Sequence, residues 1–498
     1  RLAAVMNLPL PSLLQALEDL ERRAILRATE GGRYEFTHDL IRRAAYQSLS
    51  EPRRRLIHLQ LARSLACTVR QSRLWGRKST LHLPVVGGTE SRSGHVEESS
   101  AGEVAYHADL GGDHVLAARA CALAGRHALR LYAYEEAAAL AQRGRGHVEQ
   151  LPHETRLQLS FELLELYIHP GMELYQPVDL EQRLRGLVAD ARAAGASTEV
   201  HDGLYLIGVL HYLRGRYSDA LEFTVRAERA GRTAEPATVV QAVADTARCL
   251  GMLGRDMDRA AQLTEEAQEL ARELEVRELG CEFPLAIALV AHHRGELQEA
   301  QTRLEHALAL ARRDRTPWWE YYCLSRLPMI ELEREDPEAA LEWCRVLQTV
   351  AGTLGAGAEA PFAQALEAVA RLQRGEQQAS AAVDAAVEDL RAADSQWMIA
   401  YVQNLAACVD RQAGRHEAAR ERAGEALAAA GMVDQVNEAT LARALLVLDA
   451  INAGDRQSVL THMECMHSDT YRCLSARARR AAEAAEAAVC SDTPAVKR

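Results

Sequence analysis

Apolar and polar positions recur with a helical period over most of the chain, and one small residue returns at a nearly constant interval. Ala220, Ala260, Ala300, Ala340, Ser380 and Ala419 are spaced by 40, 40, 40, 40 and 39 residues. Each follows a turn-like stretch: Arg214-Gly215-Arg216-Tyr217, Leu253-Gly254-Arg255-Asp256, Arg294-Gly295-Glu296-Leu297, Glu335-Asp336-Pro337, Arg374-Gly375-Glu376 and Ala413-Gly414-Arg415-His416. Seven residues later the same helical face continues with Ala227, Ala267, Ala307, Leu347, Val387 and Ala426. A fixed period of this size marks stacked supersecondary units. Two antiparallel helices joined by a short turn approach closely only where one face is small. A Leu at Ala260 or Ala300 would overpack that seam by about 1–3 kcal/mol. The pattern therefore predicts a mostly α chain dominated by an α-solenoid of helical hairpins. Extending the grid places further turns near Ala133, near Gly171 to Gln176 and at Gly454, which makes roughly eight hairpins, weakest over residues 150–200. An Ala- and Arg-rich helix from about Tyr471 to Val489 would shield the last apolar face, as repeat arrays require.

The first 70 residues follow a different pattern. Residues 9–28 read as a helix running into a strand, with Ser12 as N-cap and Leu13, Leu14, Leu17 and Leu20 at helical spacing. Ile25 to Thr29 and Arg33 to Thr37 are strand-like and bracket Glu30-Gly31-Gly32, a hairpin signal because tight turns demand positive φ. Thr37 is placed to cap a helix from about His38 to Leu49, whose buried stripe would be Leu40, Ala44 and Ala45. After Ser50-Glu51-Pro52 another helix runs from about Arg53 to Cys67. This order is the outline of a winged helix. Residues 70–100, rich in Gly, Ser and Pro, sustain no period and read as a linker or insertion. The expected organisation is a winged-helix head over 1–69, a linker over 70–101, the repeat array over 102–470, and a capping helix with its tail over 471–498.

Composition sharpens this picture in three ways. Hydrophobic residues are 48% but aromatics only 5%, so the interior is mainly Ala and Leu, both strong helix formers. Net charge is −12 overall, yet residues 1–78 hold 15 Lys and Arg against 7 Asp and Glu, leaving −20 for the remainder. A basic head on an acidic body suits a head that meets phosphate; a solvated Arg-rich helix face is the other reading. Lys78 and Lys497 are the only lysines, so the abundance of Arg reflects codon usage and is not by itself recognition. Ten cysteines lack paired CxxC spacing, which fits a reducing cytoplasm, and no apolar run approaches the length of a membrane span. The chain opens at Arg1-Leu2-Ala3-Ala4-Val5 without an initiator Met or a signal-peptide pattern, so the expectation is a cytoplasmic fragment preceded by a further domain.

The segment Tyr34-Glu35-Phe36-Thr37-His38-Asp39-Leu40-Ile41-Arg42-Arg43-Ala44-Ala45-Tyr46, with the Leu-rich residues 13–26 before it and Arg53-Arg54-Arg55-Leu56-Ile57-His58 after it, resembles the winged-helix module of bacterial STAND-type signalling ATPases. Large ATP-binding LuxR-type transcriptional regulators are the group it is most similar to. The resemblance covers essentially the whole chain, because in that family the module precedes an array of long tetratricopeptide (TPR)-like repeats. It implies that His38, followed by Asp39, contacts nucleotide phosphates across a domain interface, with Arg42 and Arg43 as supporting charges. ATP or ADP would then be held with an upstream ATPase domain, and this chain itself would carry no cofactor. Two family hallmarks are missing from the sequence. No G-x-x-x-x-G-K-[ST] loop occurs, since Gly76-Arg77-Lys78-Ser79-Thr80 has the wrong register, and residues 481–488 near the carboxyl end are Ala and Glu rather than a DNA-reading helix pair.

The residues themselves leave several alternatives. His38 at the first turn of a helix is well placed for phosphate, or it is a capping His packed under the hairpin. Arg22, Arg23, Arg27 and Arg33 offer a DNA-binding face, although DNA contact is not the expected role of this segment. Trp318, Trp319, Tyr321 and Tyr322 are the densest aromatic group; they read as inter-repeat core, or as part of a concave surface that binds a ligand or peptide. His462, Cys465, His467 and Cys473 are metal-like, but H-x-x-C-x-H matches no common closed zinc site, so no metal is expected. His292 and His293 sit beside a repeat turn and are expected to be solvated. No nucleophile–base pair emerges, and the chain is not expected to be an enzyme by itself. The expected role is the sensor region of a signal-transducing regulator whose array binds a protein or small-molecule inducer. The alternatives are a stand-alone scaffold for protein assembly and the accessory region of a nucleotide cyclase-type signalling enzyme.

Overall fold

The structure, a computed structural model, describes Ala3, Met6 and residues 8–29, 33–69, 100–169, 171–275, 280–314, 316–354, 357–376, 378–466 and 473–492. The expected turn at Glu30-Gly31-Gly32, residues 70–99 of the linker, Gly76-Arg77-Lys78-Ser79-Thr80, His467 and Tyr471 lie outside the described residues. The described chain forms two compact units. One holds the residues up to Tyr167 together with Tyr175–Pro177, and the other holds Ile168–Leu174 and the residues from Val178 onward.

In the first unit α1 (Leu10–Arg22) leads into an antiparallel hairpin, β1 (Leu26–Thr29) and β2 (Arg33–Phe36), which pairs Leu26 with Phe36 and Thr29 with Arg33. Helices α2 (Asp39–Ser48) and α3 (Glu51–Val69) follow. Three local expectations are corrected here. Ser12 is not the N-cap of α1. Pro9 is, because prolines at the first turn lack only an N–H that would be unpaired anyway. Thr37 does not cap α2; its hydroxyl donates to the Ala24 carbonyl at 2.6 Å and its N–H to that of Ile25 at 3.0 Å, closing the base of the hairpin. His38 becomes the N-cap residue, without a capping side-chain bond. The stripe Leu40, Ala44 and Ala45 is exposed, Leu40 at 78%, because no described element packs over that face of α2. Helix α3 instead joins the helices that follow: α4 (Ala101–Gly111), α5 (His114–Arg130), α6 (Tyr134–Val148) and α7 (His153–Glu165). At Gly111 a Cβ would stand 2.8 Å from the Leu59 backbone nitrogen, so glycine permits the α3–α4 crossing.

The second unit begins with α8 (Leu180–Ala193) and continues in seven hairpins: α9 (Ser197–Leu213) with α10 (Tyr217–Gly231), α11 (Pro236–Leu253) with α12 (Met257–Glu273), α13 (Glu282–Arg294) with α14 (Leu297–Asp314), α15 (Pro317–Glu333) with α16 (Pro337–Ala351), α17 (Glu359–Gln373) with α18 (Ala379–Ala392), α19 (Gln396–Gln412) with α20 (His416–Met432), and α21 (Val436–Ala453) with α22 (Arg456–Glu464). Helix α23 (Ala476–Asp492) packs on α21 and closes the stack. Every hairpin turn needs a left-handed residue so that the chain can reverse within three positions. Gly254 at φ 62° is typical, and Glu335, also at φ 62°, does the same work in the fourth hairpin without a glycine's freedom. Asp256, Asp336 and Asp455 then cap the second helices by accepting from the N–H groups of Arg259, Ala339 and Ser458.

The recurring small residues lie where the period predicted. Ala220, Ala260, Ala300, Ala340 and Ala419 are buried, as are Ala227, Ala267, Ala307, Leu347, Val387 and Ala426. The fifth layer is shifted by one residue. Ala379 is buried at the seam, while Ser380 sits half-buried at its edge and its hydroxyl accepts from Arg422 Nη2 at 2.9 Å. The two helices of a hairpin differ in how much they bury. Helix α14 buries one stripe, Ala300, Leu304, Ala307, Leu308 and Ala311, whereas α15 is buried on all sides from Tyr321 to Leu332. A helix covered all round belongs to an interior. The winding is tight enough to bring distant layers together. Arg255 Nη2, at the second turn, donates to Asp434 Oδ2 at 2.6 Å, and Asn437 Nδ2 donates to the Gly254 carbonyl at 3.4 Å.

Candidate ligand-binding interior of the repeat array

The first helices of the hairpins converge, and their facing side chains meet across the inside of the second unit in three clusters. Arg248 (α11) forms the first cluster: it pairs with Asp245 Oδ1 at 3.0 Å, donates to the Tyr205 hydroxyl of α9 and lies 4.9 Å from the Trp319 ring of α15. Glu282 of α13 is buried beside it. Burial raises its carboxyl to about 7, against the pull of Arg248. The third cluster is built around Arg477 of α23, which pairs with Glu438 of α21, reaches Glu333 of α15 at 3.8 Å and lies 4.5 Å from the Tyr401 ring. Glu438 Oε2 also accepts from Asn404 Nδ2 at 2.8 Å. His292 Nε2 lies 3.0 Å from Glu333 Oε1. Burial would raise the Glu333 carboxyl, but His292 and Arg477 outweigh it and hold the group at about 2.

Between them lies Arg326 of α15. Its guanidinium is 4.8 Å from both the Tyr322 and the Trp397 ring, and Nη2 donates to the Tyr322 hydroxyl at 2.7 Å. Nη1 faces only the Met329 sulfur at 4.0 Å, and Nε has no hydrogen-bond partner. No carboxylate pairs with Arg326 among the described residues, unlike Arg248 and Arg477. A guanidinium stays protonated in proteins. Burying an ion costs several kcal/mol even after relaxation, and each desolvated aromatic face returns about 2 kcal/mol. The Tyr401 hydroxyl, in the same neighbourhood, is also buried without a partner.

The predicted aromatic group is thus divided. Trp319 faces Arg248, Tyr322 faces Arg326, Trp318 is half-buried and stacks 5.7 Å from Tyr321, and the buried Tyr321 hydroxyl has no hydrogen-bond partner. The arginines and carboxylates they meet were missed. The available signal was a charge inside an otherwise apolar run, as in Cys323-Leu324-Ser325-Arg326-Leu327-Pro328-Met329-Ile330. The expectation that His292 and His293 are solvated is corrected, because the returning α23 region covers this turn. His292 is held by Glu333, and burial, with His292 beside it, lowers the His293 imidazole to about 4.

In the head, His38 is exposed at the start of α2. Arg42 and Arg43 both pair with Asp39, at 2.7 Å each, so one carboxylate ties both cations to the first turn. Arg22 pairs with Asp19 at 2.7 Å and Arg27 with Glu35 at 3.3 Å; Arg23 and Arg33 are exposed. Among the described residues no three His, Cys, Asp or Glu side chains are grouped to hold a metal ion, His462, Cys465 and Cys473 included. No described helix is long and apolar enough to cross a membrane.

No known family model matches the chain, and no curated protein is similar to it. Solved structures resemble it in part. The quorum sensor NprR from B. thuringiensis, in its apo form, is 12% identical, with 70% of this chain and 98% of that one aligned at a TM-score of 0.45. A Rap protein complexed with competence and sporulation factor is 11% identical over 70% of this chain and 99% of that one, with a TM-score of 0.43. A STAND protein with a tetratricopeptide repeat sensor from Pyrococcus horikoshii is 13% identical, covering 95% of this chain but 61% of that protein, with a TM-score of 0.43. At such scores the likeness bears on no residue, and the helical-repeat architecture rests on the coordinates themselves.

Proposed function

We propose that this chain is the receiving part of a signalling protein, in which the repeat array binds a ligand or partner and the head passes the result to a nucleotide-binding domain. The observation that carries this reading is the Arg–aromatic interior. Its contacts span α9, α11, α13, α15, α19, α21 and α23, so a molecule inserted among them changes the spacing of several layers at once. Coupling of that kind needs only a ligand with different affinity for the closed and opened arrays. In the head, which we read as a winged helix, the exposed His38 beside the N-terminal N–H groups of α2 would meet nucleotide phosphate, with Asp39 presenting Arg42 and Arg43 on the same turn. The nucleotide, ATP or ADP, would be held by an upstream ATPase domain. The output would be transcriptional control, and the compartment the cytoplasm. This chain would bind rather than catalyse.

The test has two steps. The coding sequence ahead of Arg1 is read for an in-frame P-loop domain. With that domain present, His38→Leu in the complete protein should release ADP faster and change signalling output. A start codon just ahead of Arg1, or unchanged ADP retention in the variant, refutes the switch and leaves a protein-assembly scaffold.

A further inference from the structure

We propose that the interior of the array holds a carboxylate, anchored by Arg326 and oriented by the Tyr401 hydroxyl. The inference deepens the receptor reading by naming the chemistry of what is received, and to that extent it rests on it.

Three observations carry it. The first is the pairing of the interior arginines. Arg248 has Asp245 and Glu282 around it, and Arg477 has Glu333 and Glu438, so both are matched. Arg326 is buried, carries a full charge and has no carboxylate partner among the described residues. The second is the direction of its free donors. Tyr322 takes Nη2, while Nε is unbonded and Nη1 meets only a thioether. A planar oxyanion matches the planar fork of a guanidinium, and here Nε or Nη1 would supply one of the two parallel bonds and the second Nη2 hydrogen the other. The rings of Tyr322 and Trp397 each lie 4.8 Å from the guanidinium carbon, and neither offers it a negative charge. The third is a second donor without an acceptor, the buried hydroxyl of Tyr401, whose ring stacks 5.9 Å from the Trp397 ring that faces Arg326.

One guanidinium without an ion-pair partner narrows the ligand class. A monoanion pairs Arg326 one to one, whereas phosphate with nearly two charges would add further negative charge to a low-dielectric interior that already holds Asp245, Glu282, Glu333 and Glu438. The ligand is therefore a carboxylate, carried by a small organic acid or by a peptide, either at an acidic side chain or at the chain terminus. Tyr212 and Tyr217 stand beside this cluster. Their rings are 5.5 Å apart and only half-buried, and both lie near Tyr322 and Arg326.

The probe is sodium acetate, titrated into the full chain against acetamide, sodium phosphate and sodium chloride at equal ionic strength, with melting temperature and tryptophan emission as readouts. Acetate should raise the melting temperature saturably and shift the emission, and acetamide should do neither. Arg326→Met should abolish both effects. Trp397→Phe should remove most of the emission change and keep the rise in melting temperature. Tyr401→Phe, which keeps the ring in place, should weaken acetate by about tenfold, the effect of one hydrogen bond to a charged group, and stands in if Arg326→Met does not fold. An acetate response no larger than that of chloride or acetamide, an equal response to phosphate, or a response that persists in Arg326→Met overturns the proposal. An upstream P-loop domain found alongside a failed acetate titration would remove the anion site and leave the signalling reading intact. An Arg326-dependent acetate response without such a domain would do the reverse.

Discussion

The seam between paired helices offers the most direct test of the packing logic. Ala260 is fully buried in a cluster with Met257, Leu263, Ala267, Phe283 and Val290. A Leu there adds three carbons where no space exists, and overpacking of this kind costs about 1–3 kcal/mol. Unfolding entropy is about 2.1 cal/mol/K per residue, so a unit of roughly 320 residues loses about 1.5 °C for each kcal/mol. Ala260→Leu should therefore lower the melting temperature by about 2–5 °C in a calorimetric or circular-dichroism melt. Gln262→Leu, at an exposed position of the same helix, should stay within about 0.5 kcal/mol of the parent. The fifth layer makes the test sharper. Ala379→Leu should behave like Ala260→Leu, because Ala379 is the buried residue there. Ser380→Leu should lose only the hydroxyl contact to Arg422, about 0.5–1.5 kcal/mol. If Ser380→Leu proves the more damaging of the two, or Ala260→Leu is neutral, the close-approach account of the repeat is wrong.

Two further perturbations probe the buried charges. Asp410 is fully buried and accepts from Arg415 and Arg422 at 2.7–2.9 Å, so Asp410→Ala should destabilise by about 3 kcal/mol in denaturant melts, the low end for a broken buried pair because Asp384 still reaches Arg422 at 2.8 Å. Stability of the parent should decline as pH falls below 6.5, since burial lowers the His201 and His211 imidazoles, with Glu282 opposing this down to pH 4.5 and the fall steepening below that. The Glu282 carboxyl, raised from 4.5 to about 7, holds its proton more tightly when folded and so loses stability as pH rises through that window, at most about 3 kcal/mol. His293, lowered from 6.5 to about 4, loses stability as pH falls through an overlapping window, and Glu333, held at about 2, loses it as pH falls below 4.5. Glu282→Gln should remove the opposing limb, leaving stability that rises with pH up to 6.5; a profile unchanged by the variant counts against the assignment.

The sequence carried the architecture because a repeat writes the same packing demand many times. Six small residues in register with six turns outweighed the high background of Ala, and five of those positions are the seams themselves. The exception at Ser380 coincides with the one interval of 39 residues, where the register slips by a residue and Ala379 takes the seam. Single local signals fared worse. Thr37 had the chemistry of an N-cap, but its hydroxyl found the Ala24 carbonyl first. Leu40, Ala44 and Ala45 had the spacing of a buried stripe, yet spacing says nothing about whether another element arrives to cover it. The interior clusters were hidden for a related reason. Helical periodicity describes how a helix meets its neighbours in sequence, whereas Arg326 and Trp397, or Arg477 and Glu333, meet because the array winds back on itself.

That winding also explains why the interior is polar at all. An Ala- and Leu-rich stack needs no charge to hold its layers, since each seam is closed by methyl-sized contacts. Replacing a buried ion pair by apolar groups is often neutral or stabilising. Three guanidinium groups at the centre of such a stack are thus an expense the fold does not require, and two of them have carboxylate partners, Arg248 on its own helix and Arg477 from other layers. The pairs at Arg477 set which layers meet, because Glu333 and Glu438 come to it from α15 and α21. Asp245 lies one turn from Arg248 on α11, and of the carboxylates only Glu282 reaches that cluster from another layer. Arg326 sets no such register, having no carboxylate to receive. What distinguishes it is its unmatched charge, at the point where α9, α15 and α19 come together, and that is the position from which a bound anion would act on all three.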